Sequence, residues 1–513
     1  MAPSGNPDLT PLPGSRHCSL LNSNVAALDS DVDIIRERVF VIDTRLTNIK
    51  NAIARLEQTK KQLEEEYASV LNLRTRTKAI LSPLRRIPSE ILSEIFSWTL
   101  PGAQDLLRRH QKMCITTSPW VLTHISNRWR SVAISDPSLW SLLTFNFGLG
   151  VAAAYPIPMV ETQVARARNL KHHLYGSQNH FPHQIEIFRI LIQQAPRWED
   201  LDLELTPDLV PLLADLRGRI PLLQRLWIGW RSEPTGAIQP IHCFRQAPSL
   251  LDATVNPHSI LFPVGNLTRY QLLCPWDVHA RILKSAPNLV EALVGVRDQP
   301  VWPVQEPIDV PRLRRLATTK LQVLDSIRSP SLEELALQVS RASANSRVVA
   351  TLESLLTRSS CTLWRLCISG VSGAQTSAVI RQISSIIDLR ILIPASDLIP
   401  QINILLETLT VSDVDNAPVA PHLTSISFGV RKKASSGDVD YAEYLRMVTS
   451  RWKSPACALR HASLLISSQL GPDPATLDGL KMLRSEGLDG CSVVGKDAMS
   501  VLNSWVYATP IHY

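Results

Sequence analysis

One phrase keeps returning along this chain: "APRWEDLDLEL" (195–205), "IPLLQRLWIGW" (220–230), "APSLLDATVN" (247–256), "APNLVEALVGV" (286–296), "VPRLRRLATT" (310–319), "SPSLEELALQV" (329–339) and "APHLTSISFGV" (420–430). Weaker copies stand at "VGNLTRYQLL", "SCTLWRLCISG" and "IIDLRILIPA". Each copy has a small residue or proline, an apolar residue, two variable residues and an alternating apolar run. Alternation at period two demands a short strand with one buried face. The prolines cannot continue a preceding helix, so they mark the turn into each strand. Between copies, stretches such as "VVATLESLLTR" and "DVHARILKSA" have helical spacing. The period, mostly about 20 to 30 residues, describes units that cannot bury their own apolar faces and must stack on their neighbours.

The array is expected to span residues 150–513 and resembles the degenerate leucine-rich-repeat solenoids, without an asparagine recurring at the turn. An α/β domain whose parallel strands merely share composition fits the same residues, because the spacing is irregular between 339 and 420. The tail "LKMLRSEGLDGCSVVG" is expected to be helical to Glu486, to turn through Gly487 into a short apolar strand, and to cap the last repeat. Such an array presents a long surface suited to binding. Trp227, Trp230, Trp276, Trp302 and Trp364 are its aromatic residues to weigh as anchors or as core.

Upstream lies a seven-residue repeat. Leu28, Ile35, Ile42, Ile49, Leu56, Leu63 and Val70 occupy one position, and Val32, Val39, Leu46, Ile53, Tyr67 and Leu81 the other. Thirteen of sixteen core slots are apolar, and the exceptions are Lys60, Arg74 and Thr77. Charged residues fill the positions between, as a supercoiled helix requires. An unbroken helix over 28–80 follows, roughly 80 Å long at the usual rise. It must pair with a second chain or fold back on its own protein, and the absence of any breaker favours parallel self-association through residues 28–81. The polar, proline-rich residues 1–27 are expected to be disordered.

Pro83 closes that helix, and Pro88 suits the first turn of another with Glu90 near its positive end. Ile91, Ile95 and Trp98 form one stripe; Leu92, Phe96 and Thr99 form the adjoining one. A second helix is read over Val121–Val132, and Asp136-Pro137-Ser138 as a turn. The ordered combination "PLRRIPSEILSEIF", "ISNRWRSVA" and "DPSLW" resembles an F-box in the form common to mushroom-forming fungi, where a coiled-coil-like helix precedes it. Ser126 stands where many family members have cysteine. The resemblance implies an all-α F-box domain over 81–145 in which Leu84, Ile87, Pro88, Ile91, Leu92, Ile95 and Phe96 form or support a surface that docks a Skp-type adaptor. Loss of Leu92 or Phe96 is then expected to silence the protein without unfolding the repeats.

The fold expected is therefore α/β, a solenoid preceded by an all-α unit and a long helix. A charged fraction of 19% and a hydrophobic fraction of 45% describe a folded chain. A net charge of +7 over 513 residues is weak, and the basic clusters lie far apart, so no nucleic-acid partner is indicated. Eight cysteines without CxxC pairs suggest neither zinc nor disulfides, and no run is long enough to span a bilayer. A reducing cytoplasmic or nuclear setting fits. His172, His173, His180 and His183 form the one local histidine group, in a segment read as a loop, and metal binding is not expected there. Phosphate loops, nucleophile elbows and kinase signatures are absent. No catalytic residue, metal or cofactor is expected. The F-box resemblance implies the substrate-recognition subunit of a Skp–cullin–F-box ubiquitin ligase, with a cullin reached through the adaptor and a protein target on the repeats. The competing expectation is an interaction scaffold without a ligase.

Overall fold

The structure, a computed structural model, describes residues 13–102, 113–147, 155–177, 182–230, 240–256, 260–297, 302–303, 306–339, 347–393, 400–411, 418–430, 440–466 and 472–504. The chain divides into two compact units, Met1–Leu92 and Ser93–Tyr513.

In the first unit, α1 (Arg16–Leu21) lies within the stretch read as disordered, because the Ser15 hydroxyl accepts from the Cys18 amide and caps it. The remainder of that reading, residues 1–12, lies outside the described residues. The heptad segment forms α2 (Asp29–Ile80), 52 residues with Asp29 and Asp31 at its positive end. No described side chain of α2 is buried. A one-turn helix, Pro83–Arg85, follows it, and then α3 (Ser89–Trp98), whose residues to Leu92 belong to this unit and from Ser93 onward to the second.

In the second unit the helix expected over Val121–Val132 is two elements. A tight turn of helix, Trp120–His124, ends where Ser126 takes extended geometry, and α4 (Asn127–Ser135) begins behind it. The Ser126 hydroxyl accepts from the Trp129 amide at 3.2 Å. Ser126 is thus an N-cap, a role that a cysteine would serve poorly.

Sixteen strands are described: β1 (Leu142–Asn146), β2 (Leu170–Tyr175), β3 (Trp198–Leu205), β4 (Arg225–Trp230), β5 (Asp252–Val255), β6 (Arg269–Cys274), β7 (Glu291–Val296), β8 (Ile308–Asp309), β9 (Arg315–Thr318), β10 (Ile327–Arg328), β11 (Glu334–Gln338), β12 (Arg365–Ser369), β13 (Asp388–Ile393), β14 (Ser425–Val430), β15 (His461–Ile466) and β16 (Asp489–Val494). Fourteen form one sheet in strict chain order, every neighbouring pair parallel; β8 and β10 pair separately. The fold is mixed α/β with a long helix and a large parallel sheet.

Every recurring phrase becomes a strand, and the apolar residue that opens it is core: Trp198, Leu223, Leu250, Leu267, Leu289, Leu313, Leu332, Leu363, Ile386 and Leu423 are all buried. Helices pack on the face carrying those strands' inward residues. Phe188 of the helix Pro182–Gln193 lies against Trp198, and Tyr444 of Tyr441–Lys453 stands edge-on to Phe428. The segment read as a loop around His172 and His173 is β2. Leu170, His172 and Leu174 point inward while Lys171, His173 and Tyr175 point to the other face, a period-two pattern obscured by the polar histidines.

Arginines tie successive helices together. Arg197 donates to the carbonyls of Val164 and Ala167 at the end of helix Ile157–Arg166, and Arg358 donates to Leu324 within helix Gln322–Asp325 and to Ile327 beyond it. Arg451, fully buried, donates to Leu409 at 3.0 Å, Val419 at 3.0 Å and Ala420 at 2.6 Å behind helix Pro400–Leu409. In each case the guanidinium reaches at least one carbonyl in or at the end of a helix's last turn, Ala167, Leu324 or Leu409, where the helix leaves its carbonyls without partners.

Candidate functional site

Two surfaces stand out by their exposed apolar and charged side chains. The first lies on α3. Leu92 is 1% and Phe96 0% exposed, whereas Ile91 is 53%, Ile95 40% and Trp98 82% exposed. The two apolar stripes of one helix have therefore separated, one into the core and one toward solvent. Phe96 packs on Trp129 with ring centroids 4.8 Å apart. The Trp98 indole donates to Glu94 at 3.0 Å, which holds its ring along the helix surface. Of the other residues predicted for adaptor docking, Leu84 and Pro88 are exposed and Ile87 is half-buried. The Pro88 carbonyl accepts the first helical bond, from Leu92. Leu92 and Phe96 thus support this surface from beneath; their loss would open the core.

The α3–α4 pair rests on polar anchors. Ser93 bonds Asp136, and Asp136 accepts from the Ser138 amide at 3.0 Å. Burial alone would raise the Asp136 carboxyl, but the hydrogen bonds from Ser138 and Ser93 outweigh it and hold it below its usual range. The Trp140 indole donates to Ala133 at 2.7 Å, and the Arg166 guanidinium lies 4.4 Å from the centroid of the Trp140 ring.

The second surface is the face of the sheet opposite the helices just described. Its first row is a ladder of alternating charge set by register: Lys171, Asp200, Arg225, Asp252, Arg269, Glu291, Arg315, Glu334, Arg365 and Asp388 stand side by side. Neighbours bond across it. Arg225 meets Asp200 at 2.9 Å, Arg269 meets Asp252 at 2.9 Å and Glu291 at 2.8 Å, and Arg365 meets Glu334 at 2.9 Å and Asp388 at 2.8 Å. Burial alone would weaken the charge on Arg269, but Asp252 and Glu291 overcome it and raise its pKa. Like charges in these adjacent positions would repel, so the alternation fixes register as well as stability.

The next rows are chemically mixed. Asp202 accepts from the Tyr175 hydroxyl at 2.8 Å and pairs with His173 at 2.8 Å. Burial, with the charge and hydrogen bond of Asp202, pushes the Tyr175 phenol far up, so it stays a donor. Trp227 follows in the same row, its ring over Gly229, where any added Cβ would stand 2.9 Å from the indole. Further along, Arg315, Glu334, Ala336, Arg365, Cys367 and Arg390 line a concavity of about 250 Å³. At the far end the chain turns through Gly495, at positive φ, and helix Gly495–Ser504 returns across this face, burying Ala498 and Leu502 against Leu392 and Leu465.

The tryptophans divide. Trp276 is core, stacked on half-buried Trp302 at 5.1 Å; Trp230 is half-buried, Trp227 lies half-buried on the uncovered face, and Trp364 is exposed. The charge ladder is the feature that sequence reasoning missed. Its signal was the sign alternation at a position of the phrase treated as variable.

Among the described residues no three His, Cys, Asp or Glu side chains form a metal-binding group, and no described helix is long and apolar enough to cross a membrane. His172 and His173 point to opposite faces of β2, His183 bonds the Tyr155 carbonyl, and His180 lies outside the described residues. No protein-family model matches this chain, and no curated protein does. Function must be read from the two surfaces.

Proposed function

We propose that this chain is the substrate-recruiting subunit of a Skp–cullin–F-box ubiquitin ligase, with α3 docking a Skp-type adaptor and the sheet holding the target. The observation that carries the reading is the exposed stripe of Ile91, Ile95 and Trp98 on a helix whose opposite stripe is core. Large exposed apolar side chains in a row are the mark of a surface meant to be covered. On this reading residues 81–145 are an F-box and the fourteen parallel strands in chain order are leucine-rich-repeat-like units of a solenoid. The uncovered face, with Trp227, Tyr175, Asp202 and the charged row, is the target surface.

The chemistry is positional. The adaptor and cullin bring a ubiquitin-carrying enzyme to a target lysine, and this chain supplies proximity and no reactive group. Co-purification with a Skp-type adaptor tests it. The wild type should retain the adaptor, and Ile91→Asp with Ile95→Asp should lose it while the unfolding transition stays in place. A folded wild type that fails to retain the adaptor would overturn the ligase reading and leave an interaction scaffold.

A further inference from the structure

The α2 helix carries an apolar stripe of which no residue is buried: Val32, Ile35 and Ile42 are half-buried and the other six are exposed. Nine successive seam positions are apolar without exception: Leu28, Val32, Ile35, Val39, Ile42, Leu46, Ile49, Ile53 and Leu56. Leu28 and Leu56 at its ends are 61% and 70% exposed, and Leu46 midway is 50% exposed. A lone helix gains nothing from such a stripe in water, because packing of the apolar face is what holds helices of proteins together. Spacing of four and three in strict alternation is the period of a left-handed supercoil, and it is sustained here over four heptads.

We propose that residues 28–56 of α2 form a parallel two-stranded coiled coil with the same residues of a second copy of this chain. Val32, Val39 and Ile53 put β-branched residues in the layer where two-stranded pairing prefers them, and Leu28 and Leu56 close the ends of the other layer, whose Ile35, Ile42 and Ile49 are the residues that pairings of three or four strands favour, so the measured mass decides the strand number. In the parallel register the flanking charges fit. Asp31 faces Arg36 of the second copy and Arg38 faces Asp43 of the second copy, while Arg45 meets a like charge at Lys50. Two of the three charged pairs attract, and each occurs twice by symmetry. The seam ends where Lys60 takes a core slot and Glu64, Glu65 and Glu66 crowd the flank, so the two helices are free to part before α3. Adaptor docking is not needed for this pairing, and the pairing delivers two copies of α3 to one assembly.

The full-length protein is the material for the test. Light scattering after size exclusion at tens of micromolar should give about 114 kDa, twice the 57.1 kDa chain. Ile42→Lys with Leu46→Lys should halve that mass with the thermal transition of the sheet unmoved, and Arg55→Glu, outside the seam, should leave it. Under mild oxidation Ile42→Cys should cross-link position 42 to position 42, as read by mass spectrometry of the linked peptides. A monomeric wild type, a seam variant that stays dimeric, or a cross-link from 42 to another position would overturn the proposal.

Discussion

The Phe96 ring lies 4.8 Å from the ring of Trp129, tilted by 50°, and through it α3 is fixed to α4. Phe96→Ala removes a fully buried aromatic and should cost about 3 to 5 kcal/mol, visible as a lower denaturant midpoint. Ile91→Asp, one step round the same helix, should move the midpoint by no more than about 0.5 kcal/mol. The contrast separates core from surface within ten residues.

Glu334 stands between Arg315 at 3.3 Å and Arg365 at 2.9 Å. Glu334→Gln should cost about 1 kcal/mol, since these groups are partly exposed. Glu334→Arg should cost more, by placing three like charges in register. The difference between the two variants should shrink in about 1 M salt, where the screening length is only a few ångströms. Urea unfolding at two ionic strengths measures both.

Two buried histidines predict the acid limb of stability. Burial, with the neighbouring charges of His173 and Arg197, drives His172 down to about 3; burial drives His279 down to about 4 although the Gly295 carbonyl partly opposes it. Unfolded, each titrates near 6.5 and takes up a proton that the folded chain refuses, so stability falls as pH drops from about 6.5 toward 4. Each should remove about 2 kcal/mol between pH 7 and pH 5 by this linkage. His172→Leu should flatten the slope by about half, as read from urea midpoints across that range.

Arg451 is charged, buried and surrounded by carbonyls in place of a counter-ion. Burial lowers its pKa, yet a guanidinium remains protonated. Arg451→Met should cost about 3 kcal/mol by removing the donors to those carbonyls, of which, among the described residues, Ala420 alone keeps a bond from the Leu423 amide, and Arg451→Lys should recover little, because a point charge cannot span three acceptors. Thermal unfolding of both variants checks this.

Much of the sheet was legible in sequence because one residue per unit, the leucine or its substitute after the proline turn, must be buried whatever surrounds it. The signal was present but unread at β2, as "ARNLKHHLYG", and at β15, as "SPACALRHASLLI". At β2 polar histidines interrupt the apolar alternation; at β15 a longer turn separates the proline from the strand. The α3 surface was legible only in part. Ile91/Ile95 and Leu92/Phe96 are equally apolar stripes, and which one turns inward depends on Trp129, more than thirty residues away. The break at Ser126 follows from a cap that periodicity does not register. The charge ladder escaped because each sign has meaning only beside its neighbours, and those neighbours are some twenty residues apart in sequence.

That ladder also sets a parity rule for the length of the sheet. From Lys171 to Asp388 each strand of the fourteen-stranded sheet places in this row the sign opposite to its neighbour's. Removing one strand with its connection, for instance β6 with Arg269, would set Asp252 against Glu291; removing two consecutive strands, β6 and β7, would set Asp252 against Arg315 and keep every contact attractive. Insertions obey the same arithmetic. Between those two strands the sheet can lengthen or shorten by even numbers without electrostatic conflict, so the smallest interchangeable piece is a pair of units.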